Sequence, residues 1–218
     1  MFSDAHVEQI NDVKFSSHAA HDGNLMLSTS DDAHFKIWDL RQSTKKFTLA
    51  CKGADDGESL CVGQFNPLNE HLFAVAGASN GEVQIWDMRM PQEAINCLLH
   101  HSNQVCVLEW CPNSENILAT GSDDNHIYIW DQAQCGSEQA RTDYEDGPPE
   151  LIFPHMYHGS VIEDIQWVPN PKGEQFSMML ASLETNMQFQ IWQMNSEFRS
   201  QEIDCLHLAD FVDENELE

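Results

Sequence analysis

Four segments of this chain close on the same five-residue pattern, and no other feature of the sequence restricts the fold as tightly. They read Phe35-Lys36-Ile37-Trp38-Asp39, Val83-Gln84-Ile85-Trp86-Asp87, Ile127-Tyr128-Ile129-Trp130-Asp131 and Phe189-Gln190-Ile191-Trp192-Gln193. Bulky apolar and polar residues alternate in each, the period of a strand with one buried face. The tryptophans lie 48, 44 and 62 residues apart, so the third interval carries an insertion. The same order recurs upstream of every ending. Strands are expected over 10–16, 25–30, 34–40 and 46–51, then over 59–65, 72–78, 82–88 and 95–100. A third set falls at 105–110, 117–121, 126–131 and 150–154, and a fourth at 161–167, 177–183 and 187–194. Asp31-Asp32, Ser79-Asn80-Gly81 and Asp123-Asp124-Asn125 supply turn chemistry between them. Ile10, Val13, Phe15 and the Met178-Met179 pair are expected in the core.

Four short strands per period make one blade of a β-propeller, and a repeat of ~40–45 residues is that of the WD40 type. The expected fold class is therefore all-β, a WD40 β-propeller with four visible blades at about 6–51, 57–100, 101–156 and 158–194. Residues 1–194 would form the repeat unit. Residues 195–218 would be an acidic tail, helix-compatible and then disordered. Blade four lacks a clear fourth strand, so the chain is expected to be the C-terminal part of a seven-bladed ring or to close with a partner. His101, Thr120 or Ser122, Asp124 and Trp130 resemble the hydrogen-bonded set that ties a WD40 blade together, because a buried indole N–H needs an acceptor. His6, Asp32 and Trp38 repeat that set in blade one. Trp86, His158 and Trp192 take the corresponding structural places in blades two and four.

Charge bears on partners. Asp and Glu number 36 against 10 Lys and Arg, a net charge of −26. Such a field repels phosphate backbones and steers basic partners, so direct nucleic-acid binding is not expected; acidity that serves solubility alone is the other reading. No apolar run approaches the roughly 18 residues that span a bilayer, and no membrane association is expected. Seven cysteines form no CxxC pair and read as reduced thiols of an intracellular protein.

The insertion occupies 132–149, and its end runs on into the next strand as Glu145-Asp146-Gly147-Pro148-Pro149-Glu150-Leu151-Ile152. The two prolines fix φ and favour an extended backbone. That backbone would hold Asp143, Glu145, Asp146 and Glu150 beside apolar Leu151 and Ile152. Such a stiff acidic lip next to an apolar strip suits an amphipathic basic helix; an ordinary surface loop is the alternative. With His158 and the strand that follows, this segment resembles the acidic double-proline loop of the histone-binding WD-repeat family, the MSI-like, retinoblastoma-binding-protein group of chromatin subunits. Ile37-Trp38-Asp39-Leu40-Arg41, Phe65-Asn66-Pro67, Ile117-Leu118-Ala119-Thr120-Gly121-Ser122 and Gln190-Ile191-Trp192-Gln193-Met194 extend the similarity over about 6–194.

The resemblance implies a non-catalytic scaffold of chromatin assembly, deacetylase or Polycomb-type complexes, matching the last four of seven blades. Its implied partners are histones H3/H4 and other chromatin-complex subunits. Its implied location is the nucleus, with the cytoplasm also open. In the family this loop and an N-terminal helix clamp the first helix of histone H4, and the acidic top face takes a basic peptide. Here the helix and three blades have no counterpart, and the top-face positions read Asn11, Cys61, Gln104 and Cys106, a departure from acidic or amide contacts. A WD40 adaptor of another kind, such as a ubiquitin-ligase substrate receptor, is the competing function. Enzymatic chemistry is not expected: no GxSxG elbow or phosphate-cradling loop occurs, no cofactor is implied, and the His155/His158 spacing reads as structural rather than metal-binding.

Overall fold

The computed structural model describes residues 5–42, 47–54, 58–77, 80–139, 147–168 and 178–194. Among them lie fifteen strands in four antiparallel meanders. Blade one comprises β1 (Ile10–Phe15), β2 (Leu25–Ser30), β3 (His34–Asp39) and β4 (Leu49–Lys52). Blade two comprises β5 (Leu60–Phe65), β6 (Leu72–Gly77), β7 (Glu82–Asp87) and β8 (Asn96–Leu99). Blade three comprises β9 (Val105–Trp110), β10 (Ile117–Ser122), β11 (Ile127–Asp131) and β12 (Leu151–His155). Blade four holds β13 (Ile162–Trp167), β14 (Met179–Glu184) and β15 (Phe189–Gln193). The first strands meet across blades, β1 on β5, β5 on β9 and β9 on β13, which sets the blades side by side in chain order.

Strand register gives each blade two apolar rows, one per face. On one face the partners are Phe15–Met26–Trp38, Phe65–Phe73–Trp86, Trp110–Leu118–Trp130 and Trp167–Leu180–Trp192. The opposite face carries Leu27–Ile37, Ala74–Ile85, Ala119–Ile129 and Ala181–Ile191 in the same slots. The isoleucine face of each blade packs on the tryptophan face of the next. Leu27, Phe35 and Ile37 bury against Phe65, Phe73 and Trp86. Ala74, Val83 and Ile85 bury against Trp110, Leu118 and Trp130. Ala119, Ile127 and Ile129 bury against Trp167, Leu180 and Trp192. The first of these interfaces is so close that a Cβ on Gly63 would stand 2.8 Å from Leu27 Cδ2.

The expected strands are present with small shifts at their ends. The outer strand of blade one begins at Leu49, and part of the stretch expected to precede it lies outside the described residues. Ile10, Val13 and Phe15 depart from expectation: all three are exposed rather than core. Alternation assigned them to a face, but no described blade covers that face. Met178 packs half-buried on the core between blades three and four, and Met179 is half-buried.

Burying the tryptophan rows buries their indole donors. In blade three, Trp130 Nε1 donates to Thr120 Oγ1 at 2.9 Å, the His101 ring meets the same hydroxyl through Nε2 at 2.7 Å, and its Nδ1 meets Asp124 at 2.9 Å. Thr120, not Ser122, is therefore the hydroxyl of the set. Blade one repeats it with Trp38 on Ser28 at 2.9 Å, His6 on Ser28 at 2.8 Å and His6 on Asp32 at 3.0 Å. Blade four does so with Trp192 on Ser182 at 3.1 Å, His158 on Ser182 at 2.8 Å and His158 facing Glu184 at 3.3 Å. Blade two has Val75 where the hydroxyl would be, and Trp86 donates instead to Gln84 Oε1 at 3.0 Å.

Thr120→Val keeps the shape but orphans both His101 Nε2 and Trp130 Nε1. An unsatisfied buried polar group costs about 1–3 kcal/mol. The variant should lose about 2–4 kcal/mol in urea unfolding, whereas Gln42→Ala, on an exposed surface residue, should change stability by less than about 0.5 kcal/mol.

Candidate functional site

The double-proline segment enters the fold at β12, the outer edge strand of blade three. Residues 140–146, including Glu145 and Asp146, lie outside the described residues. The described part starts at Gly147, whose φ is +106°. A side chain there would be strained, and its Cβ would stand 2.8 Å from Leu151 Cδ2. Gln139 Nε2 donates to Gly147 O at 2.9 Å, tying the two ends of the insertion together.

From Pro148 the backbone does not run extended. Leu151 N donates to Pro148 O at 2.9 Å, closing a turn with Pro149 at its second position. Proline's φ suits that position as well as an extended run. Cross-strand pairing decides between them, because Leu151 must reach Trp130 and Asp131 N bonds Glu150 O at 2.8 Å. Leu151 and Ile152 then fall on opposite faces of β12. Leu151 packs half-buried on the core between blades two and three, and Ile152 on the core between blades three and four. The turn therefore presents half-exposed Glu150 at the blade rim, with the two apolar side chains rooting it.

The four top-face positions are drawn together near the starts of the first strands. Asn11 Nδ2 donates to Asp31 Oδ1 at 2.6 Å and to Leu60 O at 2.9 Å, which bridges blades one and two. Gln104 Nε2 donates to Cys61 Sγ at 3.0 Å, bridging blades two and three, and Cys106 Sγ lies 3.8 Å from Gln104 O. Burial, with Cys106 and Asp31 adding to it, pushes the Cys61 thiol up to about 11, so it stays protonated at neutral pH. Beside them a groove lined by Glu8, Asp31, Asp32, His34 and Lys36 opens at the edge of blade one. It was not evident from the sequence, because Glu8 and Asp31 become neighbours only through the β1–β2 register.

The His155/His158 pair sits in the blade interior. The two ring centroids are 5.2 Å apart, His155 Nε2 meets Gln190 Oε1 at 3.1 Å, and its ring lies flat on Trp192 at 4.1 Å. His158 is committed to Ser182 and Glu184. Glu184 also accepts from the backbone N–H groups of Gly159 and Ser160 at 2.8 and 2.9 Å. Sequence reasoning missed Glu184 because Asn186 holds the place of Asp32 and Asp124, and the acid stands two residues earlier, where blades one and three carry Ser30 and Ser122. Among the described residues no group of three or more His, Cys, Asp or Glu side chains could hold a metal ion.

Burial lowers His155 to about 4, and His158 adds to the shift. Burial likewise lowers His6, His101 and His158, although their acids pull the other way. Asp124 is pushed up by burial, but the His101 hydrogen bond and charge and the N–H groups of Ser102 and His126 carry it down to about 2.

Two comparisons place the chain among known proteins. The WD domain, G-beta repeat model matches residues 2–39 and 92–131. The histone acetyltransferase type B subunit 2 of Candida glabrata is 33% identical over 195 residues, 89% of this chain and 43% of that protein. Its counterpart from Debaryomyces hansenii is 30% identical over 171 residues, 75% of this chain and 40% of that protein. The chain thus spans less than half the length of these relatives.

The lowered histidines fix a pH response. A histidine held below its unfolded value of about 6.5 contributes stability that is present above that value and is lost as pH falls toward its folded one. For His155 the window runs from about pH 6.5 to 4. Thermal melts should therefore fall steeply across this range, before the acid protonation of Asp124. His155→Phe, which keeps a flat ring on Trp192, should flatten that slope; an unchanged slope would exclude His155 as its main source.

Proposed function

This chain belongs to the WD-repeat family whose members include the histone acetyltransferase type B subunits it matches, and we propose that its blades form a non-catalytic, histone-binding scaffold. The observation that carries the reading is the similarity across 89% of the chain to a subunit of that name. Residues 1–194 would be the repeat unit and 195–218 an acidic tail. The partners would be histones H3/H4 and further subunits of chromatin assembly, deacetylase or Polycomb-type complexes, and the location the nucleus.

Geometry and charge support the same reading. A net charge of −26 draws basic proteins toward the rim. The Pro148–Leu151 turn roots the insertion between two apolar cores, so Glu150 is held rather than ordered on binding, which lowers the cost of association. Glu145 and Asp146, next in the chain, would add charge to the same lip. Histone helices present Lys and Arg, and the attraction would be screened within ~10 Å at 0.1 M salt.

Affinity for an H3/H4 dimer, measured by fluorescence anisotropy, should weaken markedly from low to high salt. Replacing both acids (Glu145→Lys, Asp146→Lys) should weaken it at least about tenfold through like-charge contact, while the thermal melt stays unchanged. Equal binding by both proteins would favour a WD40 adaptor of another kind.

A further inference from the structure

Among the described residues, β4, β8 and β12 each pair on one side only, with the third strand of their own blade. Such an edge offers unpaired backbone groups to any other chain, and proteins ordinarily guard it with proline or charge. The guards compare slot by slot, because the third strands align on their tryptophans. Two residues before the tryptophan, Lys36, Gln84 and Tyr128 pair with Ala50, Cys97 and Pro154. Four residues before it, His34 and Glu82 pair with Lys52 and Leu99. In blade one, Gly53 N donates to Ala33 O at 3.0 Å, so by alternation Ala50 and Lys52 turn their backbone groups away from the sheet. These are the slots that a guard must occupy. Blade three has proline in the first of them and blade one has lysine in the second. Blade two has neither: its edge reads Asn96-Cys97-Leu98-Leu99, without proline or charge.

The side chains of that edge differ from face to face. On one face Leu99 is 58% and Ile95 37% exposed, with exposed Cys97 between them. Partial burial pushes the Cys97 thiol up to about 11, and Glu82 adds to the shift, so the sulfur is neutral at neutral pH. On the other face Leu98 is fully buried, in the core that Cys135 and Leu151 of blade three join. The acidic turn of blade three stands close to that face. The charges of Glu150 and Asp131 act on Cys135, and a Cβ on Gly147 would lie 3.4 Å from Cε1 of His100, the residue after Leu99. Charge around the edge is of one sign. Positions 90–140 carry seven Asp or Glu and no Lys or Arg. Glu82 lies directly across from Leu99, and exposed Glu93 precedes Ile95 by two residues.

We propose that the open edge of β8 takes an extended, basic segment of a partner protein as a fifth strand of blade two. Apolar residues of that segment lie on Ile95, Cys97 and Leu99, and its alternate, basic residues face the acids of the blade-three turn. Backbone pairing with Cys97 and Leu99 supplies affinity, and the alternation supplies selectivity. A second copy of this chain is the wrong occupant, because two copies each carrying −26 repel. Blade two has described neighbours on both sides, so its outer edge is the same however many blades complete the ring. The site is distinct from the histone reading, which concerns a helix held at the lip.

The probe is a fluorescein-labelled octapeptide of alternating lysine and valine, titrated with the 218-residue chain by fluorescence anisotropy. It should bind saturably, and the Cys97 and Leu99 amides should exchange with solvent more slowly in the complex. Cys97→Pro and Leu99→Lys install in blade two the guards that blades three and one carry at those slots. Each should weaken the peptide at least about tenfold, one through a lost backbone bond and the other through a like charge. Both side chains are exposed, so the thermal melt should hold. Should Cys97→Pro lower the melt, Leu99→Lys decides alone. A peptide of alternating glutamate and valine should not bind. Equal affinity of wild type and Leu99→Lys, equal affinity for the glutamate peptide, or unaltered amide exchange would overturn the proposal. So would a doubled chain mass in light scattering that Leu99→Lys abolishes, which would give the edge to a second copy. No histone enters these measurements, so a failure of histone binding leaves their outcome untouched.

Discussion

The stacking of one sheet's isoleucine row on the next sheet's tryptophan row is the contact on which everything else in this fold depends. A single blade has two apolar faces and no means of covering either from within, so a blade is stable only as a member of an array. Each such contact removes side chains as large as Trp110, Trp130 and Trp192 almost wholly from water. Complete burial of a large apolar side chain contributes roughly 1.5–3 kcal/mol. Several of these per interface outweigh any hydrogen bond in the blade, where a typical net contribution is about 1 kcal/mol.

The polar networks follow from that stacking rather than compete with it. Burying a tryptophan strands its N–H, and the indole must find an acceptor inside the sheet. Ser28, Thr120 and Ser182 supply it from the middle strand, and His6, His101 and His158 meet those hydroxyls in turn. Each imidazole then needs a partner for its other nitrogen, which brings in Asp32, Asp124 or Glu184. Gln84 shows that the requirement is for an acceptor and not for the network itself: where blade two lacks the hydroxyl, a neighbouring amide oxygen suffices.

This ordering of causes explains what the sequence disclosed. The tryptophan endings and their alternating residues were legible because a strand's period of two is imposed by the backbone, whatever surrounds it. The aspartates of blades one and three were legible because each stands six residues before its tryptophan, and each has a histidine upstream. Glu184 was not, since a longer acid reaches the same imidazole and breaks the pattern. The exposure of Val13 and Phe15 was hidden for a different reason: periodicity tells which face a side chain joins, never what lies against that face. The backbone of Pro148-Pro149 was hidden because proline permits both an extended run and a turn, and only the pairing of Leu151 with Trp130 chooses.

The place of the insertion also has a physical reason. A segment of this length added at a first strand would disrupt the contacts of β1, β5, β9 and β13, on which the blades align. Among the described residues β12 lies at the outer edge of its sheet and pairs on one side only, so a long excursion before it leaves those first-strand contacts in place. An edge strand leaves backbone donors that invite unwanted pairing, and proline removes such donors. Pro154 sits within β12, and Pro148-Pro149 precede it directly. The same residues that shape the acidic turn thus blunt the most accessible edge of blade three, and a binding lip and a protected sheet edge arise from one stretch of chain.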